Sequence, residues 1–499
     1  TLSQNSSESS LTDSGYPRLA REWKRGTPLT AAQPVFEGAQ ADVSAGAFTT
    51  VEPGFRRDFA QRALTFYTAE YYLRIGDKFQ KLDLPIDAEQ GTWREYITVT
   101  LRSDWTIGGK THSAGALLAL PWDRFLAGAR DFATLYQPGP RQSLAGYSPT
   151  RHHLIVNELD NVRNRLYVLT PGADGKWQRE PLPAPEFGSV SASTVDEDSD
   201  EFWLNVDDFL TPPSLLLGQV GRAAHEELKQ LPAYFEANGL EVSQHETASK
   251  DGTRIPYFQV AKRGLEAGGA NPTLLYGYGG FEIAMTPGYR AAVGAAWLER
   301  GGVFVLANIR GGGEFGPTWH QAALKDKRQR AYDDFIAVAE DLVRRRVTSP
   351  RHLGIQGGSN GGLLVGAVLT QRPDLCNAVV CQVPLLDMRR YHQLLAGASW
   401  MGEYGNPDLP AEWDYISRYS PYQNVKAGVK YPRVLFTTST RDDRVHPGHA
   451  RKMVARMLEQ KHDVLYYENI EGGHGGAANN KQSAYMSALA YAFLLKQLR

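Results

Sequence analysis

Cysteine is nearly absent: Cys376 and Cys381 are the only two in 499 residues. Read as five positions apart on one buried strand, they point to opposite faces and cannot reach each other. A disulfide framework and a cysteine-based zinc site are both excluded. An excess of either charge is lacking too, with 54 basic against 55 acidic side chains and a formal net charge of −1. That balance, with no long Lys/Arg run, argues against a nucleic-acid partner held by bulk charge. Long apolar runs are missing: those from Ala291 to Leu298 and from Gly362 to Leu369 fall well short of the ~20 residues that cross a bilayer. No membrane partner is expected. What remains is ordinary globular composition, 42% hydrophobic and 22% charged, and at ~100–200 residues per domain the length implies two or three domains.

Two halves of the chain follow different patterns. From about residue 15 to 220, short alternating runs are broken by Gly, Pro, Asp and Asn. Tyr96 to Leu101 alternates cleanly, and His153 to Leu159, Arg165 to Leu169 and Phe202 to Val206 do so less perfectly. Period-two alternation between turn residues is the strand signal. Hairpin-like pairs recur, as on either side of Asp160 to Arg163. Strand units of about 40–50 residues point to propeller blades, with a β-sandwich as the alternative.

After about residue 225 compact apolar runs take over: Leu274 to Tyr278, Val303 to Asn308, Leu353 to Gln356, Ala378 to Gln382, Val434 to Thr438 and Val464 to Tyr467. Such runs fit strands buried on both faces. Between them lie helix-length amphipathic stretches, 332–346, 362–371, 447–460 and 483–498. The alternation predicts a mostly parallel, doubly wound sheet, with its ligand at the carboxyl ends of the strands. The domains are therefore expected at 1–225 and 226–499.

Directly after the run at Leu353 comes Gly357-Gly358-Ser359-Asn360-Gly361-Gly362, then an apolar helix. This is a G-x-S-x-G nucleophile elbow in its required strand–turn–helix setting. A serine hydroxyl needs a base to take its proton and a third group to orient that base. In α/β-hydrolases an acid and then a histidine follow the serine in the chain. The run at Val434 leads into Ser439 to Pro447, which holds Asp442 and Asp443; the run at Val464 leads into Glu471-Gly472-Gly473-His474-Gly475-Gly476. His474, between glycines on a loop, suits the base better than His446 or His449 at a helix start. Spacing alone separates Asp442 from Asp443 poorly.

Two other patterns compete. Gly311 to Gly316 fits the dinucleotide fingerprint G-x-G-x-x-G, with Asp333 and Asp334 about 20 residues on. That acid should end a second strand, whereas here it opens a helix. His446 and His449 with Asp442 resemble part of a metal site, but no fourth ligand is spaced to complete it. Neither a metal nor a cofactor is expected.

The stretch from about Ala248 to Arg499 resembles the catalytic domain of the prolyl oligopeptidase family of serine peptidases. The runs that carry the likeness are Tyr276 to Phe281, Arg310 to Gly316, Gly357 to Gly362, Ser420 to Tyr422, Asp442 to Val445 and Gly473 to Gly475. The resemblance implies an α/β-hydrolase catalytic domain joined to an all-β propeller domain. It implies Ser359 as nucleophile, Asp442 (over Asp443) as orienting acid and His474 as base. It makes the Tyr278 phenol and the Asn360 N–H the oxyanion hole. Trp400 would stack on the proline ring in a pocket closed by Phe281, Leu385, Tyr404 and Val445, and Arg444 would bind an upstream carbonyl. Such an apolar slot rewards a compact ring and offers no counter-charge to Lys or Arg.

The implied activity is hydrolysis of short proline-containing peptides after proline, without a cofactor, by a cytoplasmic or periplasmic monomer whose propeller filters substrates by size. The alternatives are a related oligopeptidase, or an acyl-peptide or ester hydrolase, of different specificity. A propeller interaction module with a dead hydrolase would require losing part of the triad. The family's propeller has seven blades and follows a segment of the hydrolase domain. The first 230 or so residues here hold roughly five blades at ~40–45 residues each. The sequence is therefore expected to begin inside the propeller; the alternative, a genuinely shorter propeller, would as an open five-blade arc expose strand edges.

Overall fold

The computed structural model describes residues 9–172, 175–184 and 188–499. The first half is a run of antiparallel sheets. A two-stranded ribbon, Leu19–Glu22 with Gln33–Glu37, is followed by four four-stranded meanders. They begin at Ser44, Glu89, Gln142 and Ser189 and end at Lys81, Tyr136, Pro181 and Gln230. The second also carries a small hairpin, Trp105–Ile107 with Lys110–His112. The roughly five blades expected are thus four meanders and a ribbon among the described residues.

Alternation packs the meanders face to face. Leu118 and Leu120 join Phe59, Leu73, Ile97 and Val99 against the first meander. Leu117 and Ala119, one residue out of phase, join Trp93, Leu154, Val156 and Leu169 against the third. Ile155, Leu166 and Val168 then meet Val190, Phe202 and Leu204 of the fourth. Successive side chains on one strand thereby serve two different cores, which is the radial stacking of a propeller rather than a two-sheet sandwich. The break expected at 225/226 falls inside the last meander, because Glu226–Gln230 is its edge strand. All five of those residues are exposed, so no hydrophobic period marked them as a strand.

The second half is an α/β-hydrolase domain built on one eight-stranded sheet. Its strands are β1 Leu240–Ala248, β2 Arg254–Lys262, β3 Thr273–Tyr276, β4 Val303–Ala307, β5 Leu353–Gly358, β6 Ala378–Gln382, β7 Arg433–Ser439 and β8 Val464–Asn469. They lie in the order β1-β2-β4-β3-β5-β6-β7-β8, with β2 antiparallel to both neighbours and β3 to β8 parallel. Four helices matter here: α1 Gln329–Arg344, α2 Asn360–Gln371, α3 Gly448–Glu459 and α4 Asn480–Leu498. α1 buries Tyr332, Phe335, Val338 and Leu342 at helical spacing. α2 is buried on all sides up to Leu369, which is why its run is almost wholly apolar. Cys376 precedes β6 rather than sharing it with Cys381, a correction to the one-strand reading. Both are buried free thiols, and burial pushes Cys376 up to about 12.

The halves interlock. The hairpin tip Asn161-Val162 has φ of 50° and 67°, a conformation that a β-branched residue rarely adopts. Val162 is nonetheless fully buried in the hydrolase core beside Phe209, Phe235 and Phe258. Gln244 of β1 donates to the Asn161 carbonyl at 2.9 Å. A cavity of about 920 Å³ lies between the meanders and the hydrolase domain, lined by Phe66, Tyr71, Arg102, Asn157 and Phe281 among others. No helix among the described residues is long and apolar enough to cross a membrane.

Candidate active site

Ser359 sits in the sharp turn between β5 and α2 with φ 58° and ψ −119°. A non-glycine residue held there is strained, and strain of this kind persists only where the surroundings fix it. Here they do: the Ser359 amide donates to the Gln382 carbonyl at 2.9 Å, tying the turn to β6. A Cβ on Gly361 would lie 2.8 Å from the Gly277 carbonyl, and one on Gly362 2.6 Å from Pro384. The glycines of the motif thus let α2 approach its neighbours.

The loop after β7 carries Asp442, whose side chain has no exposed surface. Its Oδ1 accepts the backbone N–H of Arg444 at 3.0 Å and of Val445 at 2.9 Å. The loop after β8 carries His474, with Nδ1 at 2.8 Å from Asp442 Oδ2 and Nε2 at 3.1 Å from Ser359 Oγ. Carboxylate, imidazole and hydroxyl therefore form one hydrogen-bonded line at the carboxyl ends of β7, β8 and β5. Asp443 is exposed, so geometry separates the two acids that spacing could not. His449 is fully buried on α3, where its Nδ1 accepts the amides of Leu386 and Asp387 at 3.2 and 3.1 Å. Burial pushes it down to about 4. His446 accepts the Gly448 amide at the same helix start.

Tyr278 follows β3, its ring 3.6 Å from where a Cβ on Gly361 of the serine turn would lie. Burial pushes its phenol up to about 12, against the Arg328 charge, so it stays protonated and able to donate at neutral pH. Asn360 is fully buried. Its Nδ2 donates to the Tyr278 carbonyl at 2.6 Å, and its Oδ1 accepts from Tyr404 at 2.8 Å and from Arg328. The side chain thus anchors both the Tyr278 segment and its own helix start, leaving the backbone N–H of Asn360 at the N-terminus of α2, where negative charge is favoured.

Leu385, Tyr404 and Val445 are buried in one core cluster, with Phe281 and Trp400 packed against it. Phe281 meets Tyr404 edge to face at 5.7 Å. Arg444 is exposed on the Asp442 loop. The large cavity reaches this apolar cluster through Phe281, while Ser359 and His474 are not among its lining residues.

Several residues here gave no sequence signal. Phe66, from the first meander, packs edge to face on Phe281 at 5.2 Å. Glu403 and Arg328 pair at 2.6 Å with at most 1% of either side chain exposed. Only the position of Glu403 between Trp400 and Tyr404 hinted at it. The dinucleotide-like glycines do structural work: Arg310, at their head, pairs with Asp334 at 2.6 Å and Asp251 at 2.6 Å. The acid read as a ribose ligand is thus committed to a buried ion pair.

Comparison with known proteins bears on the family of the chain. The family described as "Prolyl oligopeptidase family" matches residues 290–499. An uncharacterized peptidase of Sinorhizobium fredii is 44% identical over 498 residues, covering 98% of this chain and 68% of that protein. A prolyl endopeptidase of Elizabethkingia miricola is 36% identical over 328 residues, covering 65% of this chain and 46% of its own. The structure of a post-proline cleaving enzyme from Rickettsia typhi superposes with a TM-score of 0.91 at 35% identity, covering 98% of this chain and 73% of that one.

Proposed function

Because the chain belongs to the prolyl oligopeptidase family of serine peptidases, we propose that it hydrolyses short peptides on the carboxyl side of proline, with Ser359, His474 and Asp442 as its triad. The observation that carries this reading is the single hydrogen-bonded line from Asp442 through His474 to a strained Ser359.

Ser359 Oγ attacks the carbonyl carbon of the prolyl residue as His474 Nε2 takes its proton. Asp442 holds Nδ1–H and stabilises the imidazolium that forms. The carbonyl oxygen becomes an oxyanion that accepts from the Tyr278 phenol and the Asn360 N–H. Each such donor is worth a few kcal/mol, on the order of 10²–10³ in rate. Collapse expels the amine, protonated by His474, and leaves an acyl-enzyme. Water, deprotonated by the same imidazole, then attacks the ester and frees Ser359.

Trp400 and Phe281, backed by Leu385, Tyr404 and Val445, form the slot for the proline ring, and Arg444 engages a carbonyl upstream by a charge-assisted hydrogen bond. The cavity between the halves supports a size filter that admits unfolded peptides.

The test is initial rates on two matched fluorogenic peptides, one with Pro and one with Arg before the scissile amide, with wild type and Ser359→Ala. Cleavage after Pro that vanishes in the variant is expected. Cleavage after Arg would keep the triad and overturn the slot. Serine-dependent turnover of esters alone would make the protein an esterase.

A further inference from the structure

The catalytic steps leave unused a buried polar cluster that crosses from the propeller to the oxyanion side of the site. Glu403 Oε1 accepts from Arg328 at 2.6 Å and from the Phe281 amide at 3.2 Å. Its Oε2 accepts from His320 Nε2 at 2.8 Å and from the Tyr67 hydroxyl. Glu403 and His320 have no exposed side-chain surface. Burial alone would push the Glu403 carboxyl up, but His320 and Arg328 hold it at about 2. Two members belong to the propeller half. Tyr67 lies between the second and third strands of the first meander, and Arg102 follows Tyr96–Thr100 of the second. Arg102 stacks on the Tyr67 ring at 4.3 Å, pairs with Glu282 and donates to His320 Nδ1 at 3.1 Å. A guanidinium has no acceptor, so Nδ1 must accept and Nε2 must carry the proton given to Glu403.

Two consequences reach the site. Phe281 and Glu282 both hold positive φ, 56° and 58°, a strained pair that needs outside support. The Glu403 bond to the Phe281 amide and the Arg102 pair with Glu282 supply it. On the other side, Arg328 passes from Glu403 to Asn360, and Asn360 passes to the Tyr278 carbonyl. We propose that Tyr67 and Arg102 are positioning residues of the hydrolase site, and that the propeller thereby fixes both oxyanion donors and the turn that presents Phe281. The proposal rests on the reading of Ser359, Tyr278 and Asn360 given above.

The test compares the full-length wild type with Tyr67→Phe, Arg102→Lys and Ser143→Ala. Ser143 crosses the same interface, donating to the Glu314 carbonyl at 3.0 Å, but does not lead to Asn360. Two probes are used: a Gly-Pro p-nitroanilide too short to span the cavity, and a small organophosphate that labels the serine without needing a proline slot. Losing an oxyanion donor outright costs 10²–10³ in rate, so loosening both by one lost anchor should lower kcat about tenfold in Tyr67→Phe. KM should stay within about twofold, the labelling rate should fall in parallel, and the melting temperature should hold. Arg102→Lys, which loses the fork, should lower labelling and also raise KM through the Phe281 turn. Ser143→Ala should match wild type on both probes.

Wild-type kcat and labelling in Tyr67→Phe would overturn the proposal, as would an equal fall in Ser143→Ala, since the effect would then be mere docking. If Tyr67→Phe melts early, Arg102→Lys labelled at the wild-type rate overturns it. A wild type that is labelled at Ser359 but ignores Pro sinks the specificity reading alone, and the labelling rates still decide. A wild type that is neither labelled nor active overturns the site reading and the positioning role with it.

Discussion

Replacing Asp442 by Asn tests the triad at a point where the structure dictates which way the new amide must lie. Oδ1 accepts two backbone N–H groups, from Arg444 and Val445, and lies 3.0 Å from His474 Nδ1, whereas Oδ2 meets only His474 Nδ1, at 2.8 Å. The Asn oxygen must therefore occupy the Oδ1 position, because an NH2 there would face two donors. The amide NH2 is left at the Oδ2 position, pointing at Nδ1. His474 can keep that shorter contact only by accepting on Nδ1, which moves its proton to Nε2 and removes the lone pair that should take the Ser359 proton; the longer contact to Oδ1, an oxygen already taken by two backbone donors, competes poorly for an Nδ1–H. A wrong tautomer with intact geometry costs about 10⁴ in kcat, roughly 5 kcal/mol of barrier. The fold should hold, because the two backbone bonds that shape the loop survive. The assay is kcat and KM on a Pro-containing fluorogenic peptide, with a thermal melt of each variant and exposed Asp443→Asn as control. Asp442→Asn retaining more than a tenth of wild-type kcat would refute the reasoning, and so would an equal loss in Asp443→Asn.

Other substitutions read different parts of the molecule. Gly361→Ala drives a methyl toward the Gly277 carbonyl, so it should cost about 1–3 kcal/mol by overpacking, read as a fall in melting temperature along with lost turnover. Arg310→Met strands Asp334 without its cation and should cost about 3–5 kcal/mol, as a broken buried pair does; an unchanged denaturation midpoint would contradict that. His449 has its folded pKa pushed down to about 4 by burial, so its contribution to stability is present above its unfolded value of about 6.5 and is lost as pH falls from there through 4. Acid unfolding of His449→Gln should be flatter over that window than that of wild type. Trp400→Ala should raise KM for a Pro peptide about tenfold or more while leaving the organophosphate labelling rate near wild type, which splits the slot from the triad.

What the sequence disclosed follows from how locally each feature is encoded. β3 to β7 are buried on both faces, so their residues form mostly apolar runs, and each was visible; β8, an edge strand with Leu465 and Tyr466 exposed, showed only because Val464 to Tyr467 are all apolar or aromatic. β1 was not: Leu240–Ala248 is an edge strand with mostly exposed or half-buried side chains. β2 was missed too, since Pro256 and Gln259 interrupt its otherwise buried run. The serine turn lies within six residues and its glycines are sterically required, so it was plain. The candidate acid and base, Asp442 and His474, were legible because each follows a readable strand, but the choice of Asp442 over Asp443 needed the family likeness; in the structure Asp442 is the one held by two backbone amides and facing His474. Phe66, Tyr67 and Arg102 lay out of reach of pattern reading, because they meet Phe281, His320 and Glu403 across more than 200 residues.

That contrast separates the two sides of the site. The proposed proton-relay side is built within the hydrolase sheet: three loops at the ends of β5, β7 and β8 set Ser359, Asp442 and His474, with Ser359 tied to β6 through the Gln382 carbonyl and Asp442 held by the amides of Arg444 and Val445. The oxyanion and pocket side is assembled from remote pieces. Tyr278 is held by Asn360, Asn360 by Arg328, and Arg328 by Glu403, which is shared with His320 and with Tyr67 of the propeller. On this reading, a propeller shift of a fraction of an ångström would leave the Ser359–His474–Asp442 line unchanged while moving the proposed oxyanion donors, Tyr278 and Asn360. Because only interactions stronger in the transition state change the chemical step, propeller motion should modulate acylation at the oxyanion side rather than basicity at His474. Variants of Tyr67 and Arg102 should therefore shift kcat and leave the pH profile of kcat/KM, which reports the base, where it was.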